Sequence, residues 1–166
     1  MLQNSSPQYI WAVNVIIILL WHSLVWVFCL YAGASFFDPS KPIYQIRSWE
    51  TANSFYVKKL KIKKWKDKLP QYVAKDGFSK KQLGNISELS TDYIKRFIVE
   101  TCRGEWDHLM CCMYGIVSFI INPPAYAAMF SGIVIACNLP FIAIQRYNRI
   151  RLLRVYKKRR TKSTEQ

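Results

Sequence analysis

The residues best suited to chemistry lie at 100–108: Glu100-Thr101-Cys102-Arg103-Gly104-Glu105-Trp106-Asp107-His108. They put three carboxylates, a guanidinium and an imidazole at the edge of a long apolar stretch. On a helix, Glu105 and His108 are i, i+3 neighbours, as are Glu100 and Arg103, while Thr101 and Glu105 stand at i, i+4. A carboxylate beside an imidazole selects its tautomer and raises its basicity. That is what a general base needs to deprotonate an alcohol. The same nine residues also fit the start of an interfacial helix whose charges face water.

A second polar group stands far along the chain, at Ala136-Cys137-Asn138-Leu139-Pro140 and Gln145-Arg146-Tyr147-Asn148-Arg149. Pro140 removes a backbone donor and frees the carbonyl of Ala136. Asn138 sits well inside an apolar segment, where a polar side chain needs a partner. Residues 145–149 also suit a simpler role, as cationic anchors at a membrane edge with Tyr147 at the interface.

The elements that must position these groups follow from how charge is distributed. The chain has 166 residues, is 51% hydrophobic and carries a net charge of +14, yet its mean hydropathy is +0.00. Charge and apolar residues are segregated. Residues 1–40 hold no Lys or Arg, residues 41–103 hold fifteen, 104–145 none and 146–166 nine. Aromatics at 15% exclude a disordered basic tail protein. The length argues against a two-domain soluble enzyme. The pattern is that of a small all-α membrane protein with about three transmembrane helices. Its parts are an N-terminal span within 1–33, a basic cytoplasmic segment 34–103, a helical hairpin 104–145 and a basic cytoplasmic tail 146–166.

The first span, 9–31, is long enough for a hydrocarbon core of about 30 Å. Residues 1–8 lack the basic n-region of a signal peptide, so the segment is read as a retained helix. Asn14 and His22 interrupt it, either packing against another helix or forming an intramembrane functional pair. The region 109–144 is too long for one span and is broken at Asn122-Pro123-Pro124, which predicts a hairpin with arms near 106–121 and 124–144. His108 lies fourteen residues before the Asn122 turn, about 21 Å along a helix, and Asn138 sixteen residues after it, about 24 Å. The hairpin therefore brings the two to similar depth, near the cytoplasmic boundary. Arg146, Asn148 and Arg149 follow just beyond. The Lys and Arg bias predicts a multi-pass protein of the cell membrane, N-terminus outside and C-terminus cytoplasmic.

The run Lys58-Lys59-Leu60-Lys61-Ile62-Lys63-Lys64-Trp65-Lys66-Asp67-Lys68 is read as attraction to anionic membrane lipid, with Trp65 at headgroup level. A solvated charge run serving only topology is the plainer alternative. Nucleic-acid binding is set aside, because the apolar regions would have no place to go. Asp76-Gly77-Phe78 and Ser79-Lys80-Lys81 read as a turn and a short basic element. A helix is predicted to begin at Ser90-Thr91-Asp92, with Ile94, Phe97 and Ile98 as its apolar stripe. The five cysteines show no C-x-x-C spacing and read as small buried residues, with no metal or disulfide expected. There is no G-x-S-x-G nucleophile motif and no Gly-rich phosphate loop.

At these residues the chain resembles the glycosyl-4,4'-diaponeurosporenoate acyltransferases of bacterial carotenoid synthesis. The likeness is carried by Trp65-Lys66-x-Lys68, Glu100-Thr101-x-Arg103-x-Glu105-x-x-His108, Asn122 before a proline, Ala136-x-Asn138-x-Pro140, and Gln145-Arg146-Tyr147-Asn148-Arg149 before Arg151-Leu152. It covers roughly residues 49–153. The resemblance implies a multi-pass membrane enzyme that esterifies the primary sugar hydroxyl of a glycosylated carotenoid acid with a fatty acyl group, the last step to staphyloxanthin.

The expected activity is thus O-acyl transfer at the cytoplasmic membrane face. His108, oriented by Glu105, deprotonates the acceptor hydroxyl, and Asn138 or Asn148 donates to the developing oxyanion. Arg103, Arg146 or Arg149 holds the donor's phosphate or pantetheine part. Glu100 and Trp65 complete the binding residues. Acyl-CoA or an acyl-carrier serves as co-substrate and no cofactor is expected. The partners are membrane lipids, a glycosylated lipid acceptor and the acyl donor. The alternative is a non-enzymatic membrane subunit or scaffold whose basic segment binds anionic lipid or a protein.

Overall fold

The computed structural model describes residues 2–50, 55–70 and 89–164, with side chains to 161. The expected turn at Asp76-Gly77-Phe78 and the basic element at Ser79-Lys80-Lys81 lie outside them. Among the described residues there is no strand, so the all-α class is as predicted. Four α-helices carry the fold: α1 (Pro7–Tyr31), α2 (Thr91–Cys112), α3 (Tyr114–Ile121) and α4 (Pro124–Thr164). Two of them, α1 and α4, are long and apolar enough to cross a membrane. The expected first hairpin arm is not one element. α2 passes through Trp106 unbroken and ends at Cys112, and the eight-residue α3 follows Met113. The proline pair ends one helix and begins the next as expected: Asn122 caps α3 in extended conformation and α4 starts at Pro124.

The chain divides into two compact units. The first combines residues 1–33 with 105–142, the second 34–104 with 143–166.

In the first unit, Ser6 caps α1 by accepting from the Tyr9 amide, and Pro7 fills the first helical turn, where it sacrifices no hydrogen bond. α1 is apolar all round. One stripe, Ile10, Val13, Ile17, Ile18 and Trp21, packs with Tyr114, Phe130 and Val134. The opposite face carries Leu19, Leu20 and Leu24, each more than 60% exposed. Only 17% of the helix's most apolar window is buried, whereas the core helix of a soluble protein is mostly buried. That outward surface is what hydrocarbon solvates at no cost.

Asn14 lies on the packed stripe, fully buried, and its partners are on α3 and the turn that follows. Its Nδ2 donates to Asn122 Oδ1 (2.7 Å) and to the Ile10 carbonyl (2.8 Å). Its Oδ1 accepts from Asn122 Nδ2 (2.8 Å) and from the Tyr114 hydroxyl. Asn122 Nδ2 also reaches Ser118 Oγ (3.1 Å). The network is closed, the condition under which polar groups are tolerated in an apolar interior.

In the second unit, α2 begins where predicted, with Ser90 Oγ accepting from the Tyr93 amide (3.2 Å). Ile94, Phe97 and Ile98 bury against Leu152 of α4. The basic run is compact. Phe55–Lys59 makes a π-turn, followed by 3-10 turns at Ile62–Lys64 and Lys66–Lys68. Ile62 and Tyr56 anchor it in a core with Ile144, Tyr147 and Ile150, while lysines 58, 59, 61, 63 and 64 face outward. Trp65 packs against that same core and donates its indole N–H to the Leu60 carbonyl (2.8 Å).

Candidate active site

In the first unit, His108 of α2 meets Asn138 of α4. His108 Nδ1 and Asn138 Oδ1 stand 2.8 Å apart. Asn138 Nδ2 donates to the Val134 carbonyl (2.9 Å), one helical turn back. That bond decides the orientation of the amide: a carbonyl only accepts, so the NH2 group faces Val134 and the oxygen faces the imidazole. An amide oxygen accepts too, so the proton on His108 sits on Nδ1. The lone pair is left on Nε2. Phe141, three residues after Asn138, stacks on the imidazole with ring centroids 4.8 Å apart and planes 16° from parallel. The ring is held at one edge and across one face.

His108 Nδ1 donates to the amide oxygen of Asn138, at the ring edge where a carboxylate had been expected. Glu105 is 2% exposed, on the same helix. Asp107 is the carboxylate that acts electrostatically on His108, and it acts on His22 of α1 as well. His22 Nδ1 lies 2.8 Å from the Ile18 carbonyl, so that ring is also protonated at Nδ1. Asn14 and His22, which the sequence offered either as helix-packing groups or as a functional pair, have separate partners: Asn14 joins Asn122 and Tyr114, and His22 meets the Ile18 carbonyl. Asp107 and Phe141 are the residues beside His108 that sequence reasoning left without a role. The signal for Asp107 was present, since it and Glu105 are the only acidic residues in 104–145.

The remaining expected site residues lie in the second unit. Arg146 grips Glu50, with Nε to Oε1 at 2.8 Å and an η-nitrogen to Oε2 at 2.7 Å. It also donates to the carbonyls of Gln45 (2.9 Å) and Ile43 (3.3 Å). Glu50 is fully buried and takes two further bonds, from the Tyr56 hydroxyl and the Arg47 amide. Burial pushes its carboxyl up. The hydrogen bonds from Arg146, Tyr56 and Arg47, with the charge of Arg146, outweigh burial and hold it at about 2. The Tyr56 hydroxyl is pushed up by burial and by the Glu50 carboxylate. Nothing in the sequence pointed to Glu50, which sits 96 residues from its partner.

Arg149 is fully buried, within 3.6 Å of Cys102 Sγ and over the Tyr44 ring. Asn148 is 7% exposed and its Oδ1 accepts no hydrogen bond among the described residues. Arg103 is half-buried, pairs with Glu100 (3.2 Å) and stacks over Phe37. No group of three or more metal-ligating side chains occurs among the described residues.

The sequence pattern of the glycosyl-4,4'-diaponeurosporenoate acyltransferase family matches residues 39–158. The chain belongs to this family. Curated glycosyl-4,4'-diaponeurosporenoate acyltransferases are similar along most of their length. That of Staphylococcus haemolyticus (strain JCSC1435) is 31% identical over 125 residues, covering 75% of this chain and 72% of the relative. That of Staphylococcus aureus (strain USA300) is 30% identical over 126 residues, covering 70% and 72%. No solved structure matches. Acyl transfer in carotenoid biosynthesis is therefore the reaction class, and the match holds His108, Asn138 and the arginines but not α1.

Proposed function

We propose that the protein is a membrane-bound O-acyltransferase that esterifies a sugar hydroxyl of a glycosylated carotenoid-type lipid, with His108 as general base. The carrying observation is the chain of two hydrogen bonds from the Val134 carbonyl through Asn138 to His108 Nδ1, which leaves Nε2 as the basic nitrogen. In the transfer, His108 Nε2 takes the acceptor's hydroxyl proton as the oxygen bonds the acyl carbon. The thioester C–S bond of the donor breaks, and the imidazolium returns the proton to the departing thiolate. The relatives' name supplies a glycosylated carotenoid acid as acceptor.

Asn138 acts here as a positioning residue, because its amide is engaged at both ends rather than aimed at an oxyanion. Arg146 is withdrawn from donor binding, since Glu50 and two carbonyls occupy its guanidinium. Arg103 and Arg149 are engaged as well, with Glu100 and Phe37 and with Cys102 and Tyr44, and acyl-CoA and an acyl-carrier thioester suit the transfer equally.

The proposed topology has α1 and the α3–α4 hairpin as spans, the N-terminus outside and the basic segments cytoplasmic. The excess of Lys and Arg in 41–103 and 146–166 supports it. The function is tested by supplying membranes with a labelled acyl thioester and a glycosylated carotenoid acceptor. His108→Ala is expected to lower the rate about 10²–10⁴-fold. Full activity in that variant would sink the base assignment, and lack of transfer by the wild type would sink the acceptor class.

A further inference from the structure

We propose that Asp107 is the carboxylate that works with His108, and that α1 completes the site through His22 and Cys29. The inference rests on His108 acting as base. Asp107 directly precedes His108 on α2. Its Oδ1 is buried and accepts no hydrogen bond among the described residues, while the carboxylate takes a bond from the Cys29 thiol. A buried carboxylate oxygen without a donor is costly and is kept where it acts on something. Two imidazoles lie within its electrostatic reach, His108 and His22. The Nδ1 of each faces an acceptor, Asn138 Oδ1 and the Ile18 carbonyl, so both rings carry their basic nitrogen at Nε2.

The chemistry says what the carboxylate does. When the acceptor proton moves to His108 Nε2, a cation forms among apolar side chains, where an isolated charge is expensive. Asp107 neutralises it at that moment, and the pair becomes an anion beside a neutral ring again once the proton leaves with the thiol. The stabilisation exists mainly in the transition state, so its loss falls on kcat. Asp107 is the carboxylate whose charge acts on the ring. From α1, a helix that the family match does not cover, the Cys29 thiol donates to the carboxylate, and the lone pair on His22 Nε2 leaves that ring able to take up a proton near it.

The test uses the full chain in membranes, with labelled acyl thioester and glycosylated acceptor. Asp107→Asn, which preserves shape and removes charge, is expected to lower kcat about 10²-fold or more with acceptor KM little changed. Asp107→Glu should recover part of that loss, and Glu105→Gln should cost less than Asp107→Asn. His22→Ala should lower kcat about tenfold, again without a matching rise in KM. If His108→Ala is inactive while Asp107→Asn keeps wild-type kcat, the Asp107 assignment is overturned and the base assignment stands. If His108→Ala is fully active, both fall. A larger loss in Glu105→Gln than in Asp107→Asn returns the role to Glu105. If Asp107→Asn does not accumulate in the membrane, Asp107→Glu decides: kcat as low as in His108→Ala, with the protein folded, overturns the proposal.

Discussion

Asn138 shows how one side chain can decide the chemistry of another. Its amide is keyed by the Val134 carbonyl, and through that key the His108 tautomer is set. Asn138→Leu keeps the apolar volume but removes the key, so the ring can rotate and exchange tautomers. A fall in kcat of about 10²-fold is expected, measured in the same labelled-acyl assay. Asn138→Asp should recover orientation only partly, because a carboxylate accepts from His108 but cannot donate to Val134. Glu50 and Arg146 matter in a different way. Removing either leaves the other buried and unpaired, which costs about 3–5 kcal/mol. Arg146→Ala is therefore expected to lower the thermal midpoint in detergent micelles. The pair also gives acid sensitivity of known sign. Glu50 is held at about 2 in the fold against 4.5 in the free group. Its contribution is full above about pH 4.5 and is lost as pH falls toward 2. An acid titration of unfolding should show that loss in the wild type and a flatter curve in Glu50→Gln.

The helices are positioned by a few close or polar contacts between them. At Gly104, an added Cβ would stand 2.7 Å from Gln145 Nε2, so a side chain there must push the Gln145 amide aside. Gly104→Leu is expected to destabilise by about 1–3 kcal/mol, the cost of overpacking, visible as reduced thermal stability. The Asn14 network ties α1 to α3 and to the Asn122 turn. Asn14→Ala strips partners from the Tyr114 hydroxyl and the Asn122 amide, at about 1–3 kcal/mol. Tyr114→Phe removes one of those bonds and should cost less. Thermal unfolding in micelles orders the two variants, and equal losses would contradict the shared network. Helix existence was legible in the sequence: the apolar run of α1, the α2 start at Ser90 and the proline break all came from local chemistry. The division of the first hairpin arm at Met113 was not. Met113 is neither proline nor glycine, Gly115 stands two residues on, and the break falls where Tyr114 turns inward to Asn14.

For the molecule as a whole, the four charge-defined stretches assemble as two units, the apolar ones together and the basic ones together. The apolar unit leaves much of α1 uncovered, which suits hydrocarbon and not water. The proposed orientation predicts which side each unit meets. In a background lacking the five native cysteines, Lys63→Cys should react with an impermeant maleimide in inside-out vesicles and Asn4→Cys in intact cells. The reverse pattern would invert the topology.

The sequence by itself determined the class, the starts of α2 and α4 and the family, because these depend on local propensity, on blocks of charge and on short strings of residue types. It also brought His108 and Asn138 to one depth, since residue counts from a turn convert directly into length along a helix. Only the tertiary structure decided which groups touch. Helical spacing offered Glu105 to His108, yet the ring is keyed by Asn138, thirty residues away. Arginine chemistry offered Arg103, Arg146 or Arg149 for the donor's phosphate, and the partner of Arg146 in the fold is Glu50, ninety-six residues away. Partner choice between distant side chains depends on how helices rotate and cross when they pack, and no local pattern encodes that rotation.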